Sequence, residues 1–497
     1  MDSAQIGRVS TVSVCIVIVW RNPVRSLFFP VRPNETARIC GGTTMKKSRN
    51  TISRRGFLGT TGTAATMFHI VPSTVLGGPE KTPPSEKLNI AAIGAGGRAA
   101  NCIDGVNSEN IVAIADVDDR RAAETYRKYP DAKRYRDFRK MLDEMDHQID
   151  AVVVGTPDHT HAVAVMNAIG RGKHVYCEKP LAHSIQEVRT MATAAREKKV
   201  VTQLGNQGHS ADDIRLFCEW IREGAIGNVT EIHTGCDAFK ELYCQIHNGP
   251  KLTEQHDIPK ELNWDLWLGP GRYRDYHPMY LPFNWRGWMP FGTGCIGDWI
   301  CHIVDPSMWA LDLGAPSTIR AEVDGDFDPE KHADFYPSAS TITFQFPATN
   351  DRGPVKLVWH DGNSKIPRTE LLSDEQEVPG VGAIVYGDKG AIMHGSHGAG
   401  KCRILPDSTG RDYPTPKQTI PRVRNHFSDW LEAIRNGRQA GSNFDYGGPL
   451  TELGLLGAIA IRFPTQTLEW DALGMKFTNF SEANAWLNQP YRSGWSI

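Results

Sequence analysis

Glu178-Lys179-Pro180 sets an amine between a carboxylate and a proline, directly after the short apolar run 175–177. Read as a strand, that run delivers Lys179 at a strand's carboxyl end, the edge of an open parallel sheet where ligands bind. A lysine so placed suits proton chemistry. A second reactive pair, Asp298 and His302, lies in Gly292-Thr293-Gly294-Cys295-Ile296-Gly297-Asp298-Trp299-Ile300-Cys301-His302. The glycine-rich approach followed by Ile, Trp and Ile at helical spacing predicts a helix, on which residues i and i+4 share a face one turn apart. There Asp298 would orient and polarise the imidazole, and His302 would take a proton from a substrate hydroxyl. The same spacing also fits a capping aspartate beside a histidine satisfied within the fold.

The elements that must position these groups begin with an almost continuous apolar run, 88–93, as a strand buried on both faces requires. It leads into Gly94-Ala95-Gly96-Gly97-Arg98-Ala99. Glycines there let the backbone turn tightly and approach a pyrophosphate, whose charge the following helix N-terminus stabilises. Ala99 stands where a third glycine is usual and is small enough for close helix–strand packing. A second strand, 111–115, ends at Asp116, twenty-two residues after Gly94, where a carboxylate accepts hydrogen bonds from ribose hydroxyls. An anion at that point repels a 2′-phosphate, which favours NAD; Arg98, Arg120 and Arg121 keep NADP open. Strand 151–155 ends in Thr156-Pro157-Asp158-His159-Thr160-His161, read as a cofactor-facing loop, with a His159/His161 metal pair as the weaker alternative. Helix 162–170, the strand before Glu178-Lys179-Pro180, helix 185–198 and strand 200–204 follow. This alternation predicts an α/β fold: a doubly wound parallel sheet over 85–208.

After helix 211–223 the pattern changes. Strands are expected at 230–233, 318–323, 341–346, 355–359, 383–386 and 402–405, with helices 423–436 and 450–462 on one side. That predicts a second, α+β domain over 209–497 with an open, mainly antiparallel sheet, whose bare face would suit a homo-oligomer. Six of the 13 tryptophans, Trp264 to Trp309, fall within a tenth of the chain. Core packing accounts for most of them, but flat aromatic faces with a few polar groups also suit sugar or cyclitol rings. Arg286, Trp285 and Asn206 are the candidate substrate contacts.

Other functions are disfavoured. A net charge of −2 over 497 residues gives no electrostatic case for nucleic acid, and no apolar run reaches the roughly 20 residues a membrane span needs. The ten cysteines are scattered without a C-x-x-C pair, which reads as buried thiols with neither a disulfide framework nor a metal site. Gly395-Ser396-His397-Gly398-Ala399-Gly400-Lys401-Cys402 mimics a phosphate loop, but it lacks the Ser/Thr for magnesium and precedes a strand; a glycine-rich hairpin turn is the better reading. No G-x-S-x-G elbow is present. Residues 1–84 read as targeting segment and linker: Arg54-Arg55 in Ser53-Arg54-Arg55-Gly56-Phe57-Leu58, then a mildly apolar stretch to about residue 78, resembles a twin-arginine export signal starting at Met45. A basic tail on a cytoplasmic protein is the alternative.

In order and spacing, the Gly94–Ala99 loop, Asp116, Thr156-Pro157, Glu178-Lys179-Pro180 and Asp298-x-x-x-His302 resemble the Gfo/Idh/MocA family (glucose–fructose oxidoreductase, inositol dehydrogenase). The resemblance runs over nearly the whole chain from about residue 86. Residues 465–495, ending Tyr491-Arg492-Ser493-Gly494-Trp495, look like the exported branch. The resemblance implies a nicotinamide cofactor bound by Gly94, Ala95, Gly96, Gly97, Arg98, Asp116, Thr156, Pro157, His159, Glu178, Lys179 and Pro180, with the Lys179–Pro180 bond cis. It also implies that His302 removes a carbinol proton as hydride leaves for the nicotinamide, while Lys179 and Asp298 hold and relay that proton. Relatives of this kind either oxidise a sugar outright or, as glycosidases and lyases, oxidise it transiently and return the hydride.

Overall fold

The computed structural model describes residues 86–497 apart from positions 326 and 411; the export signal read between residues 45 and 78 lies outside them. α-Helices of seven or more residues are numbered here. The first half alternates β1 (Asn89–Ile93), α1 (Arg98–Gly105), β2 (Asn110–Ala115), α2 (Asp119–Lys128), β3 (Lys133–Tyr135), α3 (Phe138–Glu144), β4 (Ala151–Val154), α4 (His161–Gly170), β5 (His174–Cys177), α5 (Ile185–Lys198) and β6 (Thr202–Leu204). Its six strands are all parallel, in the order β3-β2-β1-β4-β5-β6. The order reverses between β1 and β4, which opens a crevice at the carboxyl ends of those strands. β4, Ala-Val-Val-Val, is buried throughout, as a central strand covered on both faces must be. The three-residue β3 and helices α2 and α3 are elements that periodicity did not expose; charged residues such as Lys133 and Arg134 mask them.

α6 (Asp212–Arg222) leads to a nine-stranded sheet in the order β13-β12-β11-β7-β10-β9-β8-β14-β15. Its strands are β7 (Val229–Cys236), β8 (Thr318–Val323), β9 (Ser340–Phe346), β10 (Val355–Asp361), β11 (Val381–Gly387), β12 (Gly390–Gly395), β13 (Arg403–Leu405), β14 (Thr467–Asp471) and β15 (Lys476–Phe477). All neighbours are antiparallel except β7 and β10. The remaining helices are α7 (Gly294–Ile303), α8 (Asp305–Leu311), α9 (His426–Asn436) and α10 (Phe444–Ile461).

The placement of the late helices corrects the sequence-based expectation. α9 does not lie on the nine-stranded sheet. Its Trp430, Leu431 and Ala433 pack with Ile90, Val153, Tyr176 and Val201, so it covers one face of the parallel sheet. Local periodicity shows that a helix has an apolar stripe but not which sheet receives it. α10 is buried almost all round from Leu450 to Ile461. It lies tightly against α7: a Cβ on Gly454 would come within 2.7 Å of Ile300, and one on Gly457 within 2.4 Å of Ile296. Glycine there is what lets α7, the helix carrying Asp298 and His302, approach so closely.

Eight cysteines among the described residues are free thiols, six of them buried. Among the described residues no helix is long and apolar enough to cross a membrane.

Candidate active site

A continuous cleft of about 740 Å³ runs from the glycine loop at the end of β1 to the aromatic segment before α7. Gly94 and Gly97 hold φ of +91° and +56°, a left-handed conformation that glycine adopts without a Cβ penalty. A Cβ on Gly97 would crowd the Arg121 guanidinium at 3.2 Å, so the loop's surface is backbone with a cation beside it. Gly97 begins α1 without a side-chain cap, and the unpaired N–H groups of that helix start suit a pyrophosphate. Thr156 Oγ1, buried on the cleft wall, has no partner. A backbone cradle, a helix N-terminus and an orphan hydroxyl together fit a dinucleotide.

Asp116 faces this loop. Its carboxylate accepts from the Ala95 N–H at 2.7 Å and the Asp118 N–H at 2.9 Å, while Asp118 takes over the cap of α2 through Arg120 and Arg121. Asp116 is therefore not the helix cap. Burial lifts its pKa to about 6, against the lowering effect of those two N–H donors.

Lys179 enters from the other side of the switch point. Glu178 continues the ladder, its N–H donating to Val154 at 2.9 Å. Its carboxylate turns under the glycine loop, accepting from Arg98 Nε (3.1 Å), Cys102 Sγ (3.0 Å) and Gln207 Nε2 (2.8 Å). The Lys179–Pro180 bond is cis, and the Lys179 amine projects across the cleft to the Asp298 carboxylate, with the Asp298 carbonyl at 3.0 Å. A residue from the parallel sheet thus meets a residue of α7, 119 positions away in the chain.

Asp298 is the electrostatic hub. One carboxylate oxygen receives Lys179; the other receives the Tyr243 hydroxyl, with Arg286 Nε at 3.5 Å. Burial would raise its pKa, but Lys179, Arg286 and the Tyr243 hydrogen bond outweigh burial and hold it well below the carboxylate range. This corrects the expectation that Asp298 orients His302. Both oxygens are committed elsewhere, and His302 Nδ1 has no partner. Burial and the nearby Lys179 and His397 charges lower the His302 pKa far below its ordinary value, with Asp298 opposing only in part. At neutral pH His302 is an uncharged imidazole with Nδ1 free of any partner.

The structure also brings in groups that sequence reading missed. His397, from the turn between β12 and β13, stacks on His302 with ring centroids 4.0 Å apart, and its N–H donates to the His302 carbonyl at 2.9 Å. The reading of 395–402 as a turn holds, but its histidine points into the cleft. Tyr243 sits on a four-residue helix, Lys240–Tyr243, in an irregular stretch with no periodicity to flag it. Asp158, in the loop after β4, also lines the cleft. Burial and the Asp298 charge push its pKa to about 7, against Arg286, Lys179 and a 3.0 Å hydrogen bond from Thr293.

Of the expected cofactor contacts, Gly94, Gly96, Gly97, Arg98, Asp116, Thr156, Pro157, Glu178 and Lys179 line the cleft; Ala95, His159 and Pro180 do not. Ala95 is buried, with its N–H on Asp116 and its carbonyl accepting from Thr125. His159 turns into the aromatic core, Nε2 at 3.1 Å from the Trp267 carbonyl. Pro180 is buried, its carbonyl 2.8 Å from His161 Nδ1, while His161 Nε2 lies 2.8 Å from the Thr156 carbonyl. Trp285 and Arg286, expected as substrate contacts, line the cleft, the guanidinium 4.2 Å from the rings of both Trp285 and Phe283. Asn206 does not. It is fully buried behind the site, donating to Asp305 and accepting from Ser442. Most of the tryptophan cluster is core: Trp264, Trp267, Trp285 and Trp288 pack with Tyr280 and Phe291.

Residues 88–206 match a family model described as the oxidoreductase family, NAD-binding Rossmann fold, and residues 227–363 match the same family's C-terminal alpha/beta domain. Together the two matches take in just over half of the chain. The chain belongs to the Gfo/Idh/MocA oxidoreductase family. Its nucleotide domain is accordingly of the NAD-binding kind. Levoglucosan dehydrogenase of Pseudarthrobacter phenanthrenivorans is 34% identical over 199 residues, 40% of this chain and 42% of that protein. The 2,7-anhydro-N-acetylneuraminate hydratase of Escherichia coli is 34% identical over 86 residues, 17% of this chain and 23% of that protein. The chain thus spans less than half the length of either relative. A solved levoglucosan dehydrogenase in complex with NADH and levoglucosan superposes with a TM-score of 0.50 at 17% identity, over 77% of this chain and 98% of that one. That likeness is one of fold.

Proposed function

We propose that this Gfo/Idh/MocA protein is an NAD(P)-dependent dehydrogenase acting on a carbinol of a sugar, cyclitol or sugar derivative, with NAD favoured over NADP. The observation that carries the reading is the convergence of Lys179 with Asp298 and the neutral His302 in one cleft that continues over the glycine loop. Gly94, Gly96, Gly97, Asp116 and Thr156 would hold the cofactor, which when bound supplies the hydride acceptor. His302, uncharged and with a free ring nitrogen, accepts the proton of the substrate hydroxyl. Lys179 donates to the oxygen as negative charge builds on it, and Asp298 fixes the amine. Arg286 and the flat faces of Trp285 and Phe283 orient a ring. Trp285 and Phe283 also keep that end of the cleft apolar, which strengthens these electrostatic contacts.

The test is incubation of purified protein with NAD and a panel of sugars and aryl glycosides. Net NADH accumulation supports the dehydrogenase; no turnover of any sugar or glycoside with either cofactor sinks it. The hydratase relative favours a second reading, a redox-neutral glycosidase or lyase that oxidises transiently and eliminates. Aglycone release without net NADH would select it. Export by the twin-arginine route remains part of the proposal, resting on Arg54-Arg55 and its flanks. Fusing residues 45–84 to a reporter that is exported only by that route tests it, and cytoplasmic retention refutes it.

A further inference from the structure

The wall of the cleft on the Asp116 side includes Trp495, from the last segment described. Nothing in the local sequence explains why an indole should be held there, yet the segment is fastened at both flanks. Arg492 donates through its side chain to the Gly269 and Asp265 carbonyls and the Asp265 carboxylate, and its N–H reaches the Pro270 carbonyl at 3.0 Å. The Tyr491 hydroxyl donates to Glu187, the capping glutamate of α5. Arg139 of α3 lies 4.2 Å from the Trp495 ring and reaches the Gly494 carbonyl. Gly494, at φ +86°, turns the chain so that Trp495 faces back.

The neighbouring segment is tied to the same strand end. The Asn263 N–H donates to the Val117 carbonyl at 2.8 Å, and the Asp119 N–H to Glu261 at 3.1 Å. Leu266 and Trp267 from that segment join Trp495, Arg136 and Phe138 around this part of the groove. The region beside Asp116 is therefore bordered by two segments from outside the nucleotide domain, 261–267 from mid-chain and 491–495 from the last residues described, each latched to that domain.

We infer that Trp495 is a cofactor-binding residue and that the segment 491–495 is a strap that retains the dinucleotide. The indole supplies an aromatic wall to the adenosine end, and Arg492 with Tyr491 keeps the strap closed. This inference rests on the reading of the cleft as a dinucleotide site, with Asp116 on the ribose. An aromatic face next to an adenine is the kind of contact whose loss weakens nucleotide binding by about 5- to 150-fold. A strap acts mainly on the rate of release. A cofactor so held leaves slowly, which limits the rate of a net dehydrogenase and costs nothing in a redox-neutral cycle that returns the hydride.

The test is NADH release from the full chain, followed by the fluorescence of bound NADH after mixing with excess unlabelled NAD. Trp495→Ala should release NADH at least about fivefold faster. Trp495→Phe should keep most of the retention. Arg492→Ala, which alters a residue outside the groove, should also speed release by opening the latch. Circular dichroism and melting of each variant establish that it is folded. Release from a folded Trp495→Ala within twofold of the native rate overturns the strap and leaves the dehydrogenase reading standing. A native chain that binds no NADH or NAD overturns the dinucleotide site itself, and the strap with it.

Discussion

Asp158 offers the sharpest test of the electrostatics in the cleft. It is buried, beside the anionic Asp298, and its pKa is raised by burial from 3.8 to about 7. A carboxyl with a raised folded pKa binds its proton more tightly in the native state. Its ionisation therefore removes stability as pH climbs from its unfolded value toward about 7, and the loss is complete above that. The shift is about 3 units, equivalent to about 4 kcal/mol. Asp158→Asn keeps an acceptor for the Thr293 hydroxyl but cannot ionise. At about pH 4 the variant should match the native protein; at about pH 8 it should be more stable by up to about 4 kcal/mol. With an unfolding entropy of about 2.1 cal/mol/K per residue, that is about 5 °C in Tm for a body the size of Leu88–Ile497. The assay is thermal melting of both proteins across that pH range, taking the difference so that all other titrations cancel. A difference in Tm that stays constant with pH refutes the placement of a protonated Asp158 beside Asp298.

The other predictions concern the reacting groups. Lys179→Met and His302→Ala should each lower kcat by at least about a hundredfold, the scale of a lost acid–base group, with NAD affinity changed by less than about threefold as measured by calorimetry. Near-native kcat in either variant removes that residue from the mechanism. His302, its pKa depressed by burial, Lys179 and His397, should remain neutral well below pH 6.5 when its ring is followed by NMR. It thereby costs stability as pH falls through its unfolded value, because the unfolded chain takes the proton more readily. Lys179→Met should move the His302 titration upward, and a native His302 titrating at its ordinary value contradicts the assignment. Asp116→Ala should weaken NAD by about 1–3 kcal/mol, since it removes the proposed ribose acceptor and the anchor of the glycine loop at the Ala95 N–H; unchanged affinity in a binding titration rules out the ribose role.

Read alone, the sequence determined the elements whose chemistry is local. An almost wholly apolar β1 and a fully apolar β4 read as buried strands, Gly94 and Gly97 hold a turn that other residues resist, and Glu178-Lys179-Pro180 must leave β5 at its carboxyl end. Those three features place the glycine loop, the strand ends that border the cleft and the Lys179 amine. The i, i+4 spacing likewise puts Asp298 and His302 on one helical face, because 3.6 residues per turn brings them one turn apart. The tertiary structure decided who bonds to whom. Asp298 turned to Lys179, Tyr243 and Arg286 because a buried carboxylate takes the strongest donors within reach, and none of these lies on its own helix. His159, Ala95, Pro180 and Asn206 sit in plausible motifs yet point into the core, since a one-residue change along a strand end or loop reverses a side chain's direction. His397 and Trp495 reach the cleft from a hairpin turn and from the last segment described. Their positions depend on long-range contacts, the Arg492 and Arg139 anchors among them, which no local pattern records.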